Sequence, residues 1–222
     1  MDIKQIAKLI DHALLNPSLT IQQLEQGIEM ARQYEIASVC ILPFYLKRCA
    51  EMLRESSVKA STTIGFPHGA QTTNAKLFET KQALNDGGQE LDMVVNISQV
   101  LTGNWNFVRS DIKAVIETTH AHNQKVKVIF ENCYLNNDQK IRLCEICSEL
   151  RTDWIKSSTG FGVSGATIDD VKLMRKYSDP SAQVKAAGGI KTLEDVIAFY
   201  EAGATRIGTS RTEEILKNIR AD

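Results

Sequence analysis

An excess charge of either sign is the first thing this sequence lacks. Its 26 Lys and Arg face 27 Asp and Glu, a formal net charge of -1 with histidine neutral. So even a balance offers no basic footprint for nucleic acid or an anionic membrane surface, and neither partner is expected. Long hydrophobic runs are missing too. The opening Met1-Asp2-Ile3-Lys4-Gln5 is followed by Lys8 and Asp11, which breaks any apolar signal-peptide core. No stretch approaches the roughly 20 apolar residues of a membrane span. Cysteine is sparse: Cys40, Cys49, Cys133, Cys144 and Cys147 are odd in number and scattered. Reduced thiols in a cytoplasm are the simplest reading, and a cytoplasmic protein is expected. Metal-ligand patterns are absent as well. His12, His68, His120 and His122 form no His-Glu-x-x-His run, and Cys144-Glu145-Ile146-Cys147 lies within an amphipathic helical pattern where core packing explains it. No metal or cofactor is therefore expected.

What is present is a regular alternation. With 222 residues and 43% apolar content the chain can bury a sizeable core. Ile3, Ile6 and Ala7 mark a short leading helix. Short apolar runs then recur at 9–15, 37–42, 58–64, 91–95, 126–131, around Lys156, around Lys185 and at 205–208. Each is followed by a helical pattern. Thr20 with Gln23 reads as a capping box, Thr167 and Thr192 open later helices, and Gly87-Gly88 stops the helix over 73–86. Eight strand–helix units without a linker imply parallel strands, closed into a (β/α)8 TIM barrel that spans residues 1–222 as one domain. Strand periodicity does not itself show closure, so a doubly wound sheet is the alternative.

The chemistry-bearing residues fall at strand ends, where such barrels build their active sites. Trp154-Ile155-Lys156-Ser157-Ser158-Thr159-Gly160-Phe161 begins as a buried strand and ends in a lysine that is costly to desolvate. Val184-Lys185-Ala186-Ala187-Gly188-Gly189-Ile190 repeats the device. Two lysines brought together disfavour each other's protonation, so one has its pKa lowered and becomes a nucleophile for a carbonyl carbon. Asp11 and Asp92, on other strands, are placed to move protons directly or through water. The same four residues are equally readable as structural ion pairs inside a barrel. The glycines add a second signal. Gly188 and Gly189 follow the seventh strand, Gly208 and Ser210 close the eighth, and Gly160 offers a third wall. Loops after strands seven and eight are the phosphate-binding loops of these barrels, and Arg211 adds a cation there. A small phosphorylated substrate is expected. Cys40, near a strand end, reads as a small buried hydrophobe.

Taken together, the segments 155–161 and 184–190 resemble the two lysine motifs of the 2-deoxyribose-5-phosphate aldolase family. Gly65-Phe66-Pro67-His68-Gly69-Ala70, Glu90-Leu91-Asp92-Met93-Val94-Val95-Asn96 and Arg206-Ile207-Gly208-Thr209-Ser210 are similar to that family too, in the same order. The likeness runs from Ile10-Asp11-His12 to about Ser210. It implies a metal-free class I aldolase on a TIM barrel, cleaving 2-deoxy-D-ribose 5-phosphate to D-glyceraldehyde 3-phosphate and acetaldehyde in deoxynucleoside breakdown. By resemblance Lys156 is the Schiff-base lysine, Lys185 the neighbour that tunes it, Asp92 the proton-transfer group and Asp11 part of its supporting network. A homodimer is the assembly common among similar proteins. Two positions depart from the family pattern: Ala13 replaces a threonine, and Arg211-Thr212 replaces a Ser-Gly pair. The other readings are a different phosphosugar aldolase or isomerase on the same barrel, or a phosphosugar-binding sensor without turnover.

Overall fold

The computed structural model describes residues 1–217 and 219. Eight strands pair in parallel, each with its sequence neighbours, and β1 pairs with β8, so the sheet closes into a barrel. The strands are β1 Ile10–Leu14, β2 Ser38–Ile41, β3 Lys59–Ile64, β4 Glu90–Val94, β5 Lys125–Ile129, β6 Trp154–Lys156, β7 Gln183–Ala187 and β8 Arg206–Thr209. A leading helix, α1 Ile3–Ala7, precedes them. Helices α2 Ile21–Gln33, α3 Leu46–Leu53 and α4 Thr73–Asn85 follow the first three strands. After β4 come a short α5 Ile97–Leu101, which periodicity does not reveal, and α6 Trp105–His120. Helices α7 Asn137–Glu149, α8 Ile168–Tyr177, α9 Leu193–Glu201 and α10 Thr212–Lys217 complete the ring.

The helix starts follow the predicted caps. Thr20 and Gln23 form a reciprocal capping box, as do Thr192 and Asp195, while Thr167 caps the Asp170 N–H. Each cap satisfies an N–H that the helix leaves unpaired, typically worth about 1 kcal/mol.

Alternation along the strands sorts side chains to two surfaces. Val39, Leu91, Met93, Val126, Val128, Ile155, Val184, Ala186 and Ile207 are buried in the apolar core that the helices cover. Their neighbours point into the barrel. Following the register around the circuit, the level advances two residues with every second strand, a total stagger of eight. Three interior layers result. Ser38, Glu90, Trp154 and Arg206 form the lowest, Asp11, Ser61, Lys127 and Lys185 the middle, and Cys40, Asp92, Lys156 and Gly208 the uppermost. Barrels usually fill these layers with branched apolar residues. Here they hold three carboxylates and four cations, nearly all inaccessible to water.

A separate buried pair fixes β4 from outside. The Lys76 ammonium on α4 donates to Asp111 on α6 at 2.6 Å and to the Val94 carbonyl at 2.9 Å, and Thr73 donates to the other Asp111 oxygen. Removing one partner strands a buried charge, which costs about 3–5 kcal/mol. Lys76→Met is expected to lose that much in urea unfolding, and the Lys76→Met/Asp111→Leu pair to recover most of it. Equal losses in the single and double variants would refute the pairing.

Candidate active site

Every sequence-predicted catalytic side chain meets at the upper half of the barrel. Lys156, at the end of β6, donates to Asp92 Oδ2 at 2.7 Å. Lys185, in β7 and directly beside Lys156 in register, donates to the same Oδ2 at 2.8 Å and also to Asp11 Oδ2. A single carboxylate oxygen therefore bridges the two lysines. The other Asp92 oxygen accepts from Lys127 on β5 at 2.7 Å, and Lys127 also reaches Glu90 at 2.7 Å and Asp11 at 3.4 Å. Beneath them Arg206 chelates Glu90 and lies over the Trp154 ring. The result is one continuous charged network rather than isolated pairs.

The network opens upward into a cavity of about 500 Å³. Lys156, Lys185, Asp11, Ala13 and Cys40 line its floor, and Asp92, bonded to both lysines, does not line it. The same cavity is lined by all six residues expected as phosphate ligands: Gly160, Gly188, Gly189, Gly208, Ser210 and Arg211. Gly188 and Gly189 both have positive φ, 88° and 82°, which turns the chain sharply after β7. Gly208 is needed for another reason. A Cβ there would come within 3.2 Å of the Lys185 Cε and 2.9 Å of the Ala187 Cβ, so only glycine leaves the lysine its place. Among the described residues, the N–H groups of Gly160, Gly188, Gly189 and Ser210 donate to no protein acceptor. Unused N–H groups converging on one wall make an anion-binding concavity. Arg211 is exposed and paired with Glu214 at 2.6 Å.

A family model described as DeoC/LacD family aldolase matches residues 5–215. The chain belongs to that family. It is 58% identical over 215 residues to the deoxyribose-phosphate aldolase of Rhodopirellula baltica, covering 97% of this chain and 89% of that relative. The solved structure of QR15, an aldolase, superposes with a TM-score of 0.92 at 36% identity, covering 97% of this chain and 96% of that one. The tetrameric deoxyribose phosphate aldolase from Aeropyrum pernix gives a TM-score of 0.92 at 26% identity, covering 99% and 93%.

The electrostatics of this aldolase follow from the count of charges. Four cations face three carboxylates inside the barrel, so neutralising one lysine balances the interior, and an unbalanced buried charge is costly. Burial presses on all of them, and the neighbours decide which yields. For Asp92, burial favours the neutral acid, but Lys127, Lys156 and Lys185 outweigh it and hold the carboxyl far below its usual range. Lys127, between three acids, is held above the ordinary lysine range. Lys185 is lowered by burial, since Asp11 and Asp92 offset it only in part and Lys156 and Lys127 add repulsion. Lys156 is raised, because Asp92 outweighs its burial. A lysine pair with one member lowered is what the sequence reading expects, but in the resting site the lowered member is Lys185. The reason is position: Lys185 sits in the middle layer, where both Lys156 and Lys127 repel its charge, and Lys156 sits one layer higher.

Lys127, Glu90 and Arg206 are parts of the site that the sequence reading passed over. The signal was available, since Val126-Lys127-Val128 places a lysine between two outward apolar residues as Ile155-Lys156 does. The other candidates separate from the site. The His12 ring lies 2.9 Å from the Thr212 hydroxyl, and Cys144 and Cys147 are buried in α7. Cys40 does face the cavity, where burial pushes its thiol up to about 12, so it stays protonated.

Burial lowers His12 from 6.5 to about 4. Above pH 6.5 both folded and unfolded states are neutral and its contribution is complete. Below that the unfolded chain binds a proton the folded chain refuses, so stability falls until about pH 4. The depressed carboxyls of Asp11 and Asp92 add a second loss below about pH 4, where unfolded carboxylates protonate. Urea unfolding across this range is expected to show both declines, and His12→Gln to flatten the first alone.

Proposed function

We propose that this chain is a deoxyribose-phosphate aldolase, a carbon–carbon lyase that cleaves 2-deoxy-D-ribose 5-phosphate to D-glyceraldehyde 3-phosphate and acetaldehyde through an imine on Lys156. The observation that carries this reading is the single Asp92 oxygen shared by two buried lysines at the floor of a cavity walled by unused N–H groups. Moving one proton from Lys156 to Lys185 along that oxygen leaves Lys156 a neutral amine and Lys185 an ammonium. No charge enters or leaves the interior.

The Lys156 amine attacks the C1 aldehyde of the open-chain sugar, and loss of water, with one proton taken from the Lys185 ammonium, gives a protonated imine and a neutral Lys185. That imine is an electron sink. Transfer of the C3 hydroxyl proton to the neutral Lys185 amine, directly or through water, breaks the C2–C3 bond, releasing D-glyceraldehyde 3-phosphate and leaving an enamine on Lys156; the same proton is then available for C2. Protonation at C2 and hydrolysis of the imine release acetaldehyde and restore the amine. Asp92 does not line the cavity, so protons reach the substrate through Lys185 or water, with Asp11 as the onward partner of Lys185. Gly160, Gly188, Gly189, Gly208, Ser210 and Arg211 form the phosphate end, a site for anion N–H bonds rather than for base chemistry.

Among the described residues no helix is long and apolar enough to cross a membrane. We read residues 1–222 as one barrel domain, of which 218 and 220–222 lie outside the described residues, acting in the cytoplasm and assembling as a homodimer. The breakdown of deoxynucleosides is the source of its substrate.

Borohydride reduction in the presence of acetaldehyde is expected to fix an ethyl group on Lys156, found by mass spectrometry and lost in Lys156→Ala. An unlabelled Lys156, or an adduct unchanged by that substitution, ends the proposal, and resistance to borohydride favours an isomerase using a carboxylate base. Lys185→Leu removes a cation next to Lys156 and Asp92, which strengthens the hold of Asp92 on the Lys156 proton. Its pH–activity profile is expected to move upward by about one unit or more. An unmoved profile contradicts the tuning role.

A further inference from the structure

Just beyond β5 the chain passes through Glu131 in the left-handed region, with φ 57° and ψ 63°. That conformation is unfavourable for a residue with a side chain, and it persists only where surrounding contacts impose it. The side chain shows what it accomplishes. The carboxylate is buried and turns toward the loop between β6 and α8, where it accepts three hydrogen bonds from one residue. The Thr159 N–H reaches its two oxygens at 3.2 and 3.3 Å, and the Thr159 hydroxyl donates to it as well. No lysine or arginine among the described residues pairs with it. Its other polar neighbour is the Cys133 thiol at 3.9 Å.

The same carboxylate supports the loop on its other side. A Cβ on Gly162 would lie 3.1 Å from the Glu131 carboxyl carbon and 2.8 Å from the Cys133 sulfur, so the loop packs directly onto this group. The two supports, Thr159 and Gly162, flank Gly160 and Phe161. Between them Thr159 makes a local turn. Its hydroxyl gives its proton to Glu131 and accepts the Phe161 N–H at 3.0 Å, which leaves the Gly160 N–H unused at the cavity wall. A carboxylate suits this place because it only accepts, and so it sets the direction of the Thr159 hydroxyl proton. An amide would offer that hydroxyl a competing donor.

We infer that Glu131 is the positioning residue for the phosphate end of the site, holding the Thr159–Phe161 turn so that the Gly160 N–H faces the substrate anion. It does so from outside the cavity and touches no reacting atom. The inference rests on the phosphosugar reading of the cavity.

Steady-state kinetics of the intact protein with 2-deoxy-D-ribose 5-phosphate test it. Glu131→Gln is expected to raise KM about tenfold, the size of a lost hydrogen bond to a charged group, with kcat within about twofold. Acetaldehyde trapping on Lys156 should keep its yield. Thr159→Val, which removes the hydroxyl and leaves the carboxylate, is expected to raise KM in the same sense. The double variant should lose less than the product of the two single losses, because both act through one contact. A KM within twofold of the unsubstituted protein overturns the inference. So does a parallel fall of kcat and trapping, which marks a general structural role. Should Glu131→Gln fail to fold, Thr159→Val alone carries the same comparison. Absence of a Lys156 adduct in the unsubstituted protein would instead defeat the aldolase reading itself, so the two failures are distinct.

Discussion

The site depends on one buried carboxylate. Asp92 accepts from Lys127, Lys156 and Lys185, two of them through the same oxygen. An isolated ammonium in this interior would be too costly to keep, and three of them without an acid between them would repel one another. Asp92 makes their convergence tolerable, and in doing so it connects them. The bonds that stabilise the charge also join the two lysines through one oxygen.

Barrel geometry supplies the rest. A stagger of eight residues brings inward side chains from alternate strands to a common level, so residues far apart in the chain become neighbours. Asp11 and Lys185 are separated by 174 positions and are still hydrogen-bonded. The layer order also assigns different work to similar groups. Glu90 and Arg206, lowest and paired, close the bottom, while Lys156 in the uppermost layer faces the cavity. Loops after β6, β7 and β8 line the same cavity and bring to it N–H groups that have no protein acceptor. Charged side chains and unused amides thus share one cavity.

Much of this was legible beforehand because periodicity and caps are local. Thr20, Thr167 and Thr192 cap helices where their spacing to the next polar residue predicts, and each strand core falls in its expected run. Strand ends shifted by a residue or two, and the five-residue α5 went unseen because it is too short to show a period. At the site, Lys156 and Lys185 were readable from their glycine-rich followers. Lys127 was not singled out, because no turn or glycine follows it to mark a strand end, although its alternation with valines matches theirs. Glu131 reads as the end of an apolar strand run, whereas the backbone there turns left-handed.

By itself the sequence determined the eight strand–helix units, the inward lysines and acids, and the glycines of the last loops. These are matters of period, charge and backbone freedom, and each is settled within a few residues. Only the tertiary structure decided which acid meets which lysine, and which lysine is lowered. Both depend on closure and stagger, which bring distant strands to one level, and on how many like charges surround each group once water is gone. Spacing along the chain carries no record of that depth.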